Sequence, residues 1–160
     1  MTKETLLAVL RKHPFVEEFQ PEHLDRLTGM AKEVHFVRDQ VVFHEGDQSG
    51  DFYLIVNGRM AVEMETPGHT LRLQTLTAGD ELGWSAILME DQGKYFQARA
   101  LEPVDALAFD AAALLAACRE DKAFGFAFMY RMLGVVSGRL QGTRVQLLDM
   151  YSPVAKRAGN

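Results

Sequence analysis

The sequence predicts an α+β fold: a β-sandwich or barrel-like roll, preceded by short helices and followed by a long one. Three observations carry this. The apolar period is helical as far as about residue 31, becomes 2 from about Glu33 to Phe109, and returns to helical from Asp110. The middle region breaks into short segments separated by turn residues, at the spacing of an all-β roll. From about Lys122 to Tyr151 the chain then keeps an unbroken heptad-like apolar step.

Residues 4–12 suit a helix with Leu6, Leu7 and Leu10 on one face, ended at His13-Pro14 because the residue before a proline avoids the helical region. Pro21 to Met30 suits a second helix, with proline in its first position and Leu24 and Leu27 at helical spacing. The strand candidates are EVHFVR, VVFH, FYLIV, RMAVEME, TLRLQTL, YFQARAL and VDALAF. Between them lie Arg38-Asp39, Glu45-Gly46-Asp47, Asn57-Gly58, Pro67-Gly68, Ala78-Gly79-Asp80 and Glu102-Pro103. Asn57-Gly58 predicts a two-residue hairpin between FYLIV and RMAVEME, since both positions tolerate positive φ.

The stretch from Gly79 to Leu101 departs from strand patterning. It holds Gly83, an apolar run from Trp84 to Met89 fit for one helical turn, the acidic loop Glu90-Asp91-Gln92-Gly93, and Lys94. A glycine that lets the backbone approach a ligand, free turn N–H groups and a lysine outline an anion cradle.

Asp110 is a good N-cap for AAALLAACRE, and Asp121 for the long helix, which Ser152-Pro153 ends. Met129, Leu133, Val136, Leu140, Thr143, Leu147 and Met150 alternate four- and three-residue steps along it. Gly134, Gly138 and Gly142 each cost about 1 kcal/mol relative to alanine in a helix, and their spacing leaves one smooth stripe. Both features predict a homodimer through residues 122–150, the alternative being that the helix packs on its own β-roll. Arg131, Arg139, Arg144 and Asp149 read mostly as its solvated face.

At 160 residues the chain reads as one domain, 1–160, with N-terminal helices in 1–31, a roll in 32–109 and C-terminal helices in 110–151. A formal net charge of −5 argues against direct nucleic-acid binding. No apolar run reaches membrane-span length, and the first residues lack the apolar core of a secretory signal. A single cysteine, Cys118, excludes an internal disulfide and fits the cytoplasm; it reads as a small buried residue. Of the five histidines none pairs at i, i+2 or i, i+4, and only His35 and His44 offer an approach across neighbouring strands. Trp84-Ser85 lies in GWSAI, which lacks the second glycine of a nucleophile elbow. The chain reads as a non-enzyme.

Phe43-His44-Glu45-Gly46-Asp47, Phe52-Tyr53-Leu54-Ile55-Val56-Asn57-Gly58, Ala78-Gly79-Asp80 and Arg139-Leu140-Gln141-Gly142-Thr143 resemble the landmarks of one family. It is the effector-binding (cyclic nucleotide-binding) domain of the catabolite activator protein and fumarate-nitrate regulator family. The resemblance covers nearly the whole chain and implies a β-roll of the double-stranded β-helix or jelly-roll type. It also implies a sensor whose ligand shifts the long helices of a dimer. The family's phosphate-binding cassette reads G-E-L/I, about ten residues, then R-(S/T)-A, and a threonine of the long helix reaches the base. Here the cassette falls in 79–101; Gly83 and Thr143 keep the pattern, while Trp84, Lys94 and Tyr95 stand at the glutamate, arginine and hydroxyl positions. Tryptophan has no acceptor for a ribose hydroxyl, and lysine lacks the planar fork that fits phosphate.

The candidate ligand-binding set is therefore Gly83, Trp84, Ser85, Lys94, Tyr95, Thr143 and Arg144, the last as a phosphate contact reaching in from a partner subunit. Trp84 and Tyr95 either stack on a cyclic nucleotide or another small anionic planar ligand, with Lys94 on its anion, or they plug the cassette and leave a ligand-free docking module. Too few residues follow Tyr151 for the helix-turn-helix domain of the regulators, so the output is expected to pass to a downstream protein.

Overall fold

The computed structural model describes residues 1–48, 50–88 and 96–151. In chain order the elements are α1 (Lys3–Arg11), a 3-10 turn (Pro14–Val16), α2 (Pro21–Met30), β1 (Lys32–Phe36), β2 (Val41–Phe43), β3 (Asp51–Asn57), β4 (Met60–Thr66) and β5 (His69–Leu76). There follow β6 (Glu81–Leu82), α3 (Ser85–Leu88), β7 (Gln97–Ala100), β8 (Val104–Asp110), α4 (Ala111–Glu120) and α5 (Lys122–Tyr151). The architecture is α+β, with two four-stranded antiparallel sheets ordered β1-β8-β3-β6 and β2-β7-β4-β5. The short helices before the roll and the long helix after it stand where the sequence places them.

The first sheet is covered on both faces, which explains the nearly continuous apolar runs of its central strands. Phe52 and Leu54 of β3, with Leu107 and Phe109 of β8, pack against the helices. Ile55 and Val104 point the other way, into the roll with Met60, Leu76 and Ala98. In β4 the apolar/polar alternation places Glu63 on the face away from the roll interior, where it is nevertheless buried and held by the guanidinium of Arg99, at 2.7 and 3.0 Å.

The expected hairpin at Asn57-Gly58 does not form. β3 and β4 belong to different sheets, so this turn carries the chain across the roll. Gly58 sits at φ +90, and a Cβ there would collide with the Pro103 carbonyl. The glycine serves close packing between two connections as well as the turn itself. β1 and β2 also lie in different sheets, so His35 and His44 are not on neighbouring strands. His35 instead meets Asp105 at 2.6 Å and Glu33 at 3.4 Å.

Both helix caps form as expected: Asp110 Oδ1 accepts from Ala113 N, and Asp121 Oδ1 from Ala123 N and Phe124 N. The first part of α5 is sunk into an aromatic cluster. Phe128 meets Phe15 and Phe52 with ring centroids 5.4 and 5.7 Å apart, and Phe124, Phe128 and Met132 are fully buried. Arg131 is no solvated charge: it donates to the Phe15 and Pro14 carbonyls and so ties α5 to the 3-10 turn.

Beyond Met132 the burial changes. Leu133, Leu140 and Leu147 are exposed, as are Phe126, Tyr130 and Tyr151. Three members of the predicted seam, Met129, Val136 and Thr143, instead turn towards this chain's own roll. The exposed apolar face therefore includes Phe126, Tyr130, Leu133, Leu140, Leu147 and Tyr151, which shifts it from the predicted seam while keeping that seam's leucines and Met150, and Val145 and Leu148 broaden it towards the end of the helix. A Cβ on Gly134, Gly138 or Gly142 would meet nothing within 4 Å. Among the described residues no helix is long and apolar enough to cross a membrane.

Candidate ligand-binding site

A turn that a Cβ would obstruct marks the start of the site. Gly83 follows β6 at φ +87, and a Cβ there would run into the Asp51 carbonyl of β3. A left-handed position against a neighbouring backbone admits only glycine comfortably. The single helical turn then forms as expected, with Ala86 N donating to Gly83 O at 3.0 Å and Ile87 N to Trp84 O at 3.1 Å. Ile87 faces the core, and Trp84 stays partly buried on the other side of the turn.

A pocket of about 430 Å³ opens beside Trp84. Its floor is the inner face of the second sheet, with Val62 and Met64 from β4 and Leu73 and Gln74 from β5. Trp84 and Phe96 close one side, and Val136, Arg139, Leu140, Thr143 and Gln146 of α5 close another. Gly83 and Ser85 line a recess of about 30 Å³ next to it, shared with Trp84 and Arg139. The main volume falls in the range of small-molecule sites, and its walls are mostly apolar with a few polar groups, as such sites are.

The cation of this pocket is Arg139, which the sequence had placed on the solvated face. Its side chain is 17% exposed and its partner Glu81 is 14% exposed. Arg139 Nη2 donates to the Glu81 carbonyl and, at 3.3 Å, to Glu81 Oε1, while Nη1 donates to Gln74 Oε1 at 3.3 Å. Burial pushes the Glu81 carboxyl above the ordinary glutamate range, and Arg139 pulls it back in part. Gln146 adds a second tie between helix and sheet, donating to the Leu73 carbonyl at 3.0 Å.

Of the candidate residues, the structure brings Gly83, Trp84, Ser85 and Thr143 together around these two adjoining spaces. Thr143 spends its hydroxyl proton on the Arg139 carbonyl one turn back, at 3.0 Å, and keeps its lone pairs for an incoming donor. Arg144 is exposed and does not line the pocket of its own chain. Lys94 and Tyr95 lie outside the described residues. Trp84 contributes an indole to this pocket, which donates but cannot accept. The guanidinium within reach is already paired.

Glu81 escaped the sequence reading altogether. Its strand has two residues and no periodicity to read. The available signal was a charged residue directly after the Ala78-Gly79-Asp80 turn, just ahead of the cassette glycine.

Other features weigh less. A larger, open hollow of about 580 Å³ is walled chiefly by alanines of α3 and α4, with Asp51, Asp110 and Arg119. Asp110 is already engaged as the cap of α4. Cys118 is buried, and burial raises its thiol pKa, the reverse of what a nucleophile needs. Among the described residues no group of three or more His, Cys, Asp or Glu is placed to hold a metal ion.

The cyclic nucleotide-binding domain family model matches residues 33–121, more than half of the chain. A cyclic nucleotide-binding domain from Methylobacillus flagellatus superimposes with a TM-score of 0.77 at 19% identity, over 92% of this chain and 83% of that one. The catabolite activator protein of Thermus thermophilus does so with a TM-score of 0.70 at 21% identity, over 87% of this chain and 63% of that one. At such identities the likeness is one of fold. The cAMP/cGMP-dependent 3',5'-cAMP/cGMP phosphodiesterase B of Dictyostelium discoideum is 28% identical over 64% of this chain, which spans only 10% of that protein's length. On the match of its roll and cassette, the chain belongs to the cyclic nucleotide-binding domain family.

Proposed function

We propose that this chain is a regulatory sensor: a small ligand enters between the roll and α5, and its binding shifts α5, through which two copies pair. One observation carries the reading. The same helix supplies Val136, Arg139, Leu140, Thr143 and Gln146 to the pocket and presents the exposed seam of Leu133, Leu140 and Leu147. A ligand that prefers one position of the helix therefore acts on the pairing face, and this preference is the only means by which it can do so. Contiguous exposed apolar surface of this kind fits an interface between copies.

The reading is of one domain over residues 1–160, cytoplasmic and not an enzyme, whose output passes to a downstream protein. The Dictyostelium relative is named both for a dependence on cyclic nucleotides and for an activity, and the match of residues 33–121 to the cyclic nucleotide-binding domain model supports the binding role for this chain. The net charge of −5 favours a protein over nucleic acid as the receiver. The space of about 430 Å³ left beside Trp84 favours a ligand over a cassette plugged by Trp84.

Trp84 is the chain's one tryptophan, so its emission reports on the site directly. Titration with cyclic AMP, cyclic GMP and cyclic dinucleotides, alongside Lys94→Ala, would be paired with sedimentation of the free and liganded protein. A saturable change in emission accompanied by a shift in the dimer equilibrium supports the sensor. Binding at Trp84 that leaves that equilibrium untouched refutes the coupling.

A further inference from the structure

We infer that the pocket beside Trp84 takes an uncharged, flat, largely apolar ring ligand held at its edge by amide-type hydrogen bonds, in preference to an anion such as a cyclic phosphate. The inference rests on the reading of this pocket as the ligand site and specifies the class of ligand.

Charge decides first. Arg139 is the one cation among the described lining residues, and it arrives neutralised by Glu81, with both side chains largely out of water. An anion reaching Arg139 must either expel Glu81 or lie beside its carboxylate. The first leaves a buried charge unpaired; the second sets like charges together where water screens them poorly. The raised pKa of Glu81 points the same way, because that carboxylate already carries the cost of burial.

Shape and hydrogen bonding decide the rest. Trp84 offers a ring face, and Phe96 adds apolar wall beside it. The polar groups at the edge are neutral, and their remaining capacity can be read from what each already does. Gln74 Oε1 accepts from Arg139, which leaves its amide N–H groups to donate. Gln146 Nε2 donates to the Leu73 carbonyl, which leaves its amide oxygen to accept. Thr143 donates to the Arg139 carbonyl and can still accept. A ring edge with a carbonyl next to an N–H meets one donor and two acceptors here.

2-Naphthamide and 2-naphthoate share a ring and nearly a shape, and differ in charge. Each is titrated into the full chain while the single indole N–H resonance of Trp84 is followed by NMR. The expected result is a saturable shift with both, with 2-naphthamide binding at least about tenfold more tightly. Glu81→Gln, which frees the charge of Arg139, then strengthens 2-naphthoate and narrows or reverses the preference. Tighter binding of 2-naphthoate or of cyclic AMP by the wild-type chain overturns the inference. So does binding of 2-naphthamide without movement of the Trp84 resonance, or no response to either compound. Sedimentation of the same samples keeps the two claims apart. A neutral ligand that binds at Trp84 without altering the dimer defeats the proposed coupling and leaves the ligand class standing, and tight cyclic AMP that alters the dimer does the reverse.

Discussion

Removing the guanidinium of Arg139 tests the centre of the site. Arg139→Met keeps the apolar stem against the pocket and deletes three donor contacts: to the Glu81 carbonyl, to Glu81 Oε1 and to Gln74 Oε1. Exposed ion pairs contribute ~0–1 kcal/mol, whereas stripping one partner from a buried pair costs ~3–5 kcal/mol. With side chains 17% and 14% exposed, this pair lies between those limits, and a loss of about 2–3 kcal/mol is expected. For a chain of this length that corresponds to a fall in Tm of roughly 5–10 °C. Unfolding must be compared at one protein concentration, because a dimer makes Tm concentration-dependent.

Glu81→Gln and the double variant complete a cycle. Most of the cost in Arg139→Met comes from a stranded carboxylate, so Glu81→Gln in that background should restore about 1 kcal/mol. The pH dependence has a definite sign. The folded-state pKa of Glu81 is raised, chiefly by burial, so between its unfolded and folded values the folded chain binds more protons. Stability therefore falls as pH rises through that window, and is best below it. Arg139→Met raises the folded pKa further and steepens the fall, and Glu81→Gln abolishes it. A single variant within about 0.5 kcal/mol of wild type, or a cycle without coupling, would show the pair to be solvated and remove the charge argument for a neutral ligand.

Other perturbations address the scaffold. Gly83→Ala must adopt φ near +87 and push its Cβ into the Asp51 carbonyl; a cost of roughly 3 kcal/mol is expected in urea unfolding, and less than about 1 would mean that β3 and the turn shift freely. Phe128→Ala empties the aromatic cluster between α5, Phe15 and Phe52, and should cost about 3–5 kcal/mol by the same measurement. His13 is buried, donates to the Ile55 carbonyl and accepts from Phe15 N; burial holds its pKa below 6.5, against the pull of Asp80. The unfolded chain then binds the proton more readily, so stability should decline as pH falls below about 6.5, and His13→Gln should flatten that slope in unfolding curves. Leu133→Lys with Leu147→Lys should leave the roll folded, abolish dimers in sedimentation and with them the dependence of Tm on protein concentration; dimers that persist would place the interface elsewhere.

The sequence disclosed the strands because burial on one or both faces leaves a period or an apolar run, as in Phe52–Val56 and Val104–Phe109. It could not disclose which strands pair. Asn57-Gly58 has the composition of a hairpin turn, yet the roll uses it to change sheets, and only the contact of Gly58 with Pro103 distinguishes the two uses. On α5 the heptad step was legible but its rotation was not. Met129 and Val136 fit the seam as well as Phe126 and Tyr130 do, and the choice is made by where the roll lies. The same rotation selects Arg139 for the pocket and leaves Arg144 outside, although one turn of helix separates them. The only local signal at Glu81 was its place after the Ala78-Gly79-Asp80 turn, and that says nothing of its role, which is created by a residue 58 positions further along the chain.

α5 is one helix in geometry and two in energetics. Its first turns are fixed by Phe124, Phe128 and Met132, whose burial is worth several kcal/mol, and by Arg131 on the 3-10 turn. Its later turns touch the roll through the pocket walls and through two polar ties, Arg139 to Glu81 and Gln146 to Leu73. A tie worth about 2–3 kcal/mol lies within the differential affinity that a small ligand can supply, whereas the aromatic cluster does not. Movement on binding is thereby confined to the part of α5 beyond Met132. That part carries Leu140 and Leu147, so the segment that is cheapest to move is also the one through which the proposed pairing runs. In this arrangement the neutralised charge has a use beyond selectivity. A neutral ligand sets no like charge beside Glu81, so the affinity it spends on repositioning the helix is opposed only by the pocket contacts and the two polar ties.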